Sequence, residues 1–531
     1  MVFKRLQLTR PRRWPALILT ISAGLIALIM VLPLGYLLLR TSEAGTAAWA
    51  QLQRPSTLRV FTGSALLAIT VTAGSLLIGL PLAWLTTRTN LPGARIWLSL
   101  IMLPMAIPSY IGAWAIIAVL GPRGLVQQWL EPLGIERLPE IYGFWGAAGA
   151  LMLFGYPYIV LNVRVALRKL DPALEEAARS LGQRSGQIFW RITLPQLRPA
   201  LAAGSLLVVL YALSDFGAVS LLRYSSFTRA IYLQYRSSFD RTGAAVLSLL
   251  LVGLACGLLA AEALSRGRAR YYRSSAGVSR QANVIELGRW RWPALIFCAV
   301  VVLFAVVLPV VAIGAWLIIG IRSGQAWNLQ LADFGNSLLA ASLAALVTIM
   351  LAFPVVFLAV RYPSRLTSLI ERATYVGYAL PGIVVALALV FWGANYLPWA
   401  YQTLGLLILA YAVRFLPQAI GSLRTSLLQI NPRLEEAGRS LGQTPWRVVL
   451  SITLPLLRPG IISGAALVFL STLKELPATL LLGPTGFHTL ATDIWNNTTE
   501  LRFSQTALPA LLLMLAACGS LALLLANERK T

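Results

Sequence analysis

The chain has 531 residues, 58% hydrophobic and only 12% charged, against about 25% charged in an ordinary soluble domain, and its mean hydropathy is +0.74. A soluble globule cannot bury that much apolar surface, so a soluble enzyme and a disordered scaffold are both excluded. The 44 Lys+Arg against 19 Asp+Glu give a net charge of +25, a balance that in a soluble protein points to nucleic acid and here has to be read against position in the chain.

A helix needs roughly 20 apolar residues to cross a bilayer. In chain order such runs are predicted at 15–39, 60–87, 96–120, 142–163, 200–222 and 243–264, then at 293–320, 337–360, 373–394, 402–423, 460–482 and 505–526. The fold class expected is therefore all-α, a polytopic membrane protein of about twelve transmembrane helices. The first run follows the basic stretch KRLQLTRPRR and resembles a signal peptide at its start. It is too long for that and lacks a small-residue cleavage site, so it reads as a retained span. The three cysteines (Cys256, Cys298, Cys518) fall in apolar runs without paired spacing, which gives neither a disulfide framework nor a zinc site.

With an even number of spans, basic residues choose the orientation. If the N-terminus is cytoplasmic, the inside segments hold 32 of the 44 Lys+Arg. Both termini are then expected on the cytoplasmic side of the membrane. The charge is mainly a topology signal, and no nucleic-acid partner is implied.

A repeat organises the whole chain. LDPALEEAARSLGQRSGQIFWRITLPQLRPALAAG at 170–204 recurs as INPRLEEAGRSLGQTPWRVVLSITLPLLRPGIISG at 430–464, offset by 260 residues without a gap and identical at about half the positions. Six spans per unit is an even number, so the two units run parallel through the membrane. The expected organisation is a tail and first span (1–56), a first six-helix domain (57–265), a basic cytoplasmic linker (266–292), a seventh span with an outer loop (293–332) and a second domain (333–527).

The repeated segment reads as a helix–turn–helix at the membrane face. Asp171–Pro172 and Asn431–Pro432 supply an N-cap followed by proline at the first helical position. The acids Glu175, Glu176, Glu435 and Glu436 suit the early turns. Gly182 and Gly442 stand where a left-handed residue ends a helix. A second short helix is expected to run to Leu194–Pro195 and to Leu454–Pro455. Duplication of the charged and glycine positions at both sites points to docking rather than to a plain connecting loop.

The pattern E-A-A, three residues, Gly, nine residues, then I-x-L-P resembles the EAA loop of ATP-binding-cassette import permeases. Both copies fit: Glu176-Ala177-Ala178, Gly182, Ile192, Leu194 and Pro195, and Glu436-Ala437-Gly438, Gly442, Ile452, Leu454 and Pro455. The second departs only at Gly438. The resemblance implies a type I importer permease fold, fused as two domains, and coupling residues at Glu175, Glu176, Ala177, Gly182, Glu435, Glu436, Ala437 and Gly442. It implies separate ATPase subunits, one per loop, and an extracytoplasmic solute-binding protein that docks on outer loops such as 122–141 and 483–504. ATP and Mg would sit on the partner ATPase, with no cofactor bound by this chain. Consistent with that, none of Lys4, Lys169, Lys474 and Lys530 follows a glycine, so there is no Walker A loop here.

Ionisable groups at membrane depth are costly and functional by default. Asp215 and Glu475 occupy the same place in the repeat, in the fifth span of each half. Two roles stand open: lining the translocation pathway, or structural pairing with Lys474, Arg223 or Arg502. Two carboxylates suit a cation better than an anion, and a hard trivalent metal takes oxygen ligands such as Tyr211 and Tyr224 nearby. The single histidine, His488, reads as a solvated outer-loop residue. Softer similarities, at 103–114, 121–130, 211–222 and 380–393, are to ferric-iron permeases and more distantly to thiamine permeases. A proton-driven secondary transporter is the other class with twelve spans, and the paired EAA loops argue against it.

Overall fold

The computed structural model describes residues 13–122, 124–134, 138–237, 240–265, 284–324 and 331–528. The basic stretch 1–12 and most of the predicted linker (266–283) lie outside the described residues. Among the described residues the chain is helical, with one isolated β-bridge between Thr89 and Ile285.

Among the described residues ten helices are long and apolar enough to cross a membrane, and eleven spans result if Pro445–Leu456 and Arg458–Leu473, bent by 70°, count as one. About twelve spans are expected, and the runs that are not single straight helices have a physical reason. Proline and polar residues cut four of the runs, the one expected at 96–120 breaking between Met105 and Ser109 at Pro108. The run expected at 373–394 is interrupted at Leu380, whose extended backbone precedes Pro381, and leaves the shorter helix Gly382–Tyr396. The runs at 200–222 and 460–482 stop as helices at Ser214 and Leu473. Elsewhere proline is tolerated inside spans (Pro81, Pro157, Pro354, Pro417), because neighbouring helices and local adjustments satisfy the freed carbonyls.

The chain divides into two compact units. One comprises 37–331 and 489–518. Its centre is Pro55–Arg88 packed on Phe144–Lys169, with Leu194–Ser214 against both. Small residues make this approach possible: a Cβ on Gly79 would lie 2.7 Å from the Ile159 Cβ. The Tyr156 hydroxyl, fully buried, donates to the Ile101 carbonyl at 3.0 Å. The described end of the linker closes on this unit, since Ile285 N–H donates to the Arg88 carbonyl (2.8 Å) and Asn90 N–H to the Ile285 carbonyl (3.1 Å). The stretch expected as an outer loop at 483–504 contains a capped helix, Leu490–Thr499, whose Leu490, Ile494 and Trp495 are buried. Trp495 packs on Phe216 with ring centres 5.0 Å apart.

The other unit comprises 1–36, 332–488 and 519–531. Leu404–Gln429 packs along Arg458–Leu473, and Gly382–Tyr396 along Pro477–Leu482. The start of the chain belongs here: Tyr36 packs on Phe391 at 4.8 Å. From the other end, Ser520 Oγ donates to the Ala466 carbonyl at 3.0 Å.

Candidate functional site

Each EAA loop folds as its capping residues dictate. Asp171 Oδ1 accepts from Ala173 N–H at 3.1 Å and opens the helix Pro172–Ser180. Asn431 Oδ1 accepts from Arg433 N–H at 3.1 Å and opens Pro432–Ser440. Both helices end in a left-handed glycine, Gly182 at φ 78° and Gly442 at φ 82°. Behind each glycine a closing bond forms, Gln183 N–H to the Ala178 carbonyl (3.0 Å) and Gln443 N–H to the Gly438 carbonyl (3.2 Å). The glycine that replaces the second alanine of the motif has a packing reason, because a Cβ on Gly438 would meet Ile452 Cδ1 at 2.8 Å.

The second helix of each loop differs from expectation. In the first half it does not stop at Leu194–Pro195. It passes through a π segment, Phe189–Thr193, and continues as Leu194–Ser214. Proline is accepted there because it stands in the first turn after the wider π segment. In the second half the matching π segment, Val449–Thr453, leads to Leu454–Leu456, and the chain bends at Leu457.

Burial separates the paired acids of the motif. Glu175 and Glu435 are 7% and 3% exposed, whereas Glu176, Ala177, Gly182, Glu436, Ala437 and Gly442 lie on the surface. Leu181 and Leu441 are 81% and 82% exposed beside them, so each loop presents a mixed polar and apolar face. The buried acids hold partners that the sequence reading missed. Glu175 pairs with Arg88, the last residue of Pro55–Arg88, and accepts from Thr193 Oγ1 at 2.9 Å. Glu435 accepts from Arg361 Nε and Nη2 at 3.0 and 2.9 Å, and from Thr453 Oγ1 at 3.2 Å. Arg361 is the last residue of Leu331–Arg361. A signal for both arginines exists in the sequence: PLAWLTTR (81–88) and PVVFLAVR (354–361) share proline, an aromatic, leucine and arginine in register.

The fifth spans break at Asp215 and at Lys474–Glu475, and the carboxylates stabilise the breaks. Asp215 Oδ1 accepts from Ala218 and Val219 N–H at 3.0 and 3.3 Å, capping the short helix Gly217–Leu221. Glu475 Oε1 accepts from Ala478 N–H at 3.3 Å at the start of Pro477–Leu482. Both acids are buried. Glu475 also forms an ion pair with Arg414. Arg414 lies within the helix Leu404–Gln429, in the run expected at 402–423. Arg414 and Glu475 leave no room for a side chain at Gly382.

Two of the three cations considered as partners of these acids have other contacts. Arg223 stacks over Tyr142 at 4.9 Å, and Arg502 pairs with Glu500 at 3.0 Å. Tyr224 donates its hydroxyl to the Gly63 carbonyl at 2.9 Å, and Tyr211 packs against Tyr158. His488 is exposed, and its carbonyl accepts from Asn336 Nδ2 at 3.0 Å. Among the described residues no cluster of three or more His, Cys, Asp or Glu side chains could hold a metal ion.

Known proteins resemble this arrangement along its length. The chain is 35% identical over 510 residues to the Fe(3+)-transport system permease protein FbpB 2 of Haemophilus influenzae, which covers 95% of this chain and 97% of that one. It is 26% identical to the putative ferric transport system permease protein FbpB 1 of the same organism, over 72% of this chain and 63% of that one. A probable molybdenum ABC transporter permease protein of Haloferax volcanii is 31% identical over 47% of this chain and 89% of its own length. Residues 75–270 and 355–528 each match the binding-protein-dependent transport system inner membrane component. With that domain present in both halves, the chain belongs to this family of multi-pass inner-membrane transport components, as a fused two-domain permease.

Proposed function

We propose that this chain is the membrane-spanning subunit of an ATP-driven importer that carries ferric iron. The observation that carries the proposal is the pair of EAA helices, each capped at both ends and each exposing Glu176, Ala177 and Gly182 or their counterparts. A short helix with a charged rim and an exposed leucine suits a cleft in a soluble partner. Each loop receives one ATPase subunit, giving two copies, which hold the ATP and Mg. The chain binds no cofactor of its own. A solute-binding protein delivers cargo from outside, and both termini lie in the cytoplasm, in keeping with the distribution of basic residues.

Ferric iron as cargo is supported by the two Haemophilus influenzae relatives named for it. On this reading Asp215 and Glu475 line the translocation pathway at the breaks of the fifth spans, where carboxylate oxygen suits a hard cation. Glu475 is neutralised by Arg414, so it can meet cargo only after that pair opens. Purification of the tagged chain from its own membranes tests the partners: an ATPase subunit is expected to co-purify. Vesicles carrying the assembled complex then test the cargo, with radioactive ferric iron and thiamine each offered with its binding protein. Uptake of thiamine and not of iron would reassign the substrate.

A further inference from the structure

The docking helices are nine residues long, and their exposed faces account for contact with a partner but not for how a push on them moves a span. We infer that Arg88 and Arg361 are positioning residues that tie each docking helix to the end of the second span of its own half, through the first, buried glutamate of the motif. This rests on the coupling role proposed above and adds a mechanical connection to it.

The geometry is most complete in the second half. The Arg361 guanidinium makes two hydrogen bonds to Glu435 Oε1, and its Nη2 donates a third to the Ile430 carbonyl at 3.2 Å. Thr453, in the π segment leading to the fifth span, donates to the same carboxylate oxygen. One carboxylate thus joins the end of span two, the docking helix and the helix that follows it. In the first half the same three elements meet, through Arg88, Glu175 and Thr193. Arg88 and Thr193 are 2% and 1% exposed, and Thr453 is fully buried, so these groups are not themselves a docking face. In the second half the guanidinium fork of Arg361 fixes orientation as well as distance, whereas in the first half Arg88 and Glu175 are held by a buried ion pair. The π segments carry the threonines in both halves; such wide turns set side-chain register and mark functional positions. Both halves keep the arginine–glutamate pair and the threonine bond to the same acid, together with the eight-residue pattern ending in arginine.

The test uses the full complex in vesicles and reads cargo taken up per ATP hydrolysed. Arg361→Lys keeps the charge but cannot reproduce the three bonds, and Thr453→Val keeps the shape but removes the donor. Both, with Arg88→Lys and Thr193→Val in the other half, are expected to assemble at wild-type yield. Each lysine variant is expected to lower uptake per ATP at least fivefold, and each valine variant by a smaller factor. The exchange Arg361→Glu with Glu435→Arg is expected to recover part of what Arg361→Glu alone loses. Assembled Arg361→Lys and Arg88→Lys complexes with unchanged uptake per ATP would overturn the inference, even if their melting temperatures fell, since a purely structural pair predicts that outcome. Failure of the coupling role itself has a different signature, namely a wild-type chain whose uptake does not depend on an ATPase subunit.

Discussion

Glu175 and Glu176 are adjacent in the chain, yet one is buried against Arg88 and the other lies on the surface. Glu435 and Glu436 repeat the division, with Arg361 as the partner of the buried acid. A short amphipathic helix must turn one face inward and one outward, so consecutive acids on it take different roles.

Substitutions at the two kinds of acid should therefore separate stability from assembly. Removing one partner of a buried ion pair costs about 3–5 kcal/mol, because the other charge is left uncompensated. Glu435→Ala is expected to lower the melting temperature of the purified chain clearly, and Glu175→Ala likewise. Glu176→Ala and Glu436→Ala are expected to leave melting unchanged while weakening capture of the ATPase subunit. Thermal unfolding in detergent and pull-down with the tagged chain check the two halves of this expectation.

Gly182 and Gly442 hold left-handed backbone, with φ of 78° and 82° and open space where a Cβ would project. Alanine at either is strained by about 1 kcal/mol, and its methyl group would stand out from the docking face. The double change Gly182→Ala with Gly442→Ala is expected to abolish ATP-driven uptake while the chain still reaches the membrane. Undiminished uptake by the double variant would remove the loops from the coupling mechanism.

The fifth-span acids should respond differently from each other. Asp215→Asn keeps an oxygen acceptor for Ala218 and Val219 N–H, so assembly is expected to persist and any loss of uptake reports on charge. Glu475→Gln leaves Arg414 without its ion-pair partner, and both yield and uptake are expected to fall. The double change Arg414→Met with Glu475→Gln is expected to restore the yield, because replacing both members of a buried pair is far less costly than removing one. Membrane yield and uptake, measured on the same preparations, distinguish these cases.

Local features were legible in the sequence, and long-range ones were not. Asp171–Pro172, Gly182 and their counterparts announced the docking helices because caps and left-handed glycines act within a few residues. Hydropathy located the spans but could not see the breaks at Asp215 and Glu475, since a window average is insensitive to one kinked turn in an apolar run. The partners of the acids lay far away in sequence: Arg88 for Glu175, Arg361 for Glu435 and Arg414 for Glu475. For Arg414 a signal exists, because one arginine in the apolar run LGLLILAYAVRFLPQ is itself a sign of a buried partner. For Arg88 and Arg361 the signal is the shared octapeptide, which lies outside the repeat at 170–204 and 430–464.

The most direct test is ferric-iron uptake into sealed vesicles containing this chain, its ATPase subunits and its binding protein. Uptake is expected only when ATP and the binding protein are both present, and it should survive collapse of the proton gradient. Uptake that continues without the ATPase subunits and follows the proton gradient would contradict the account.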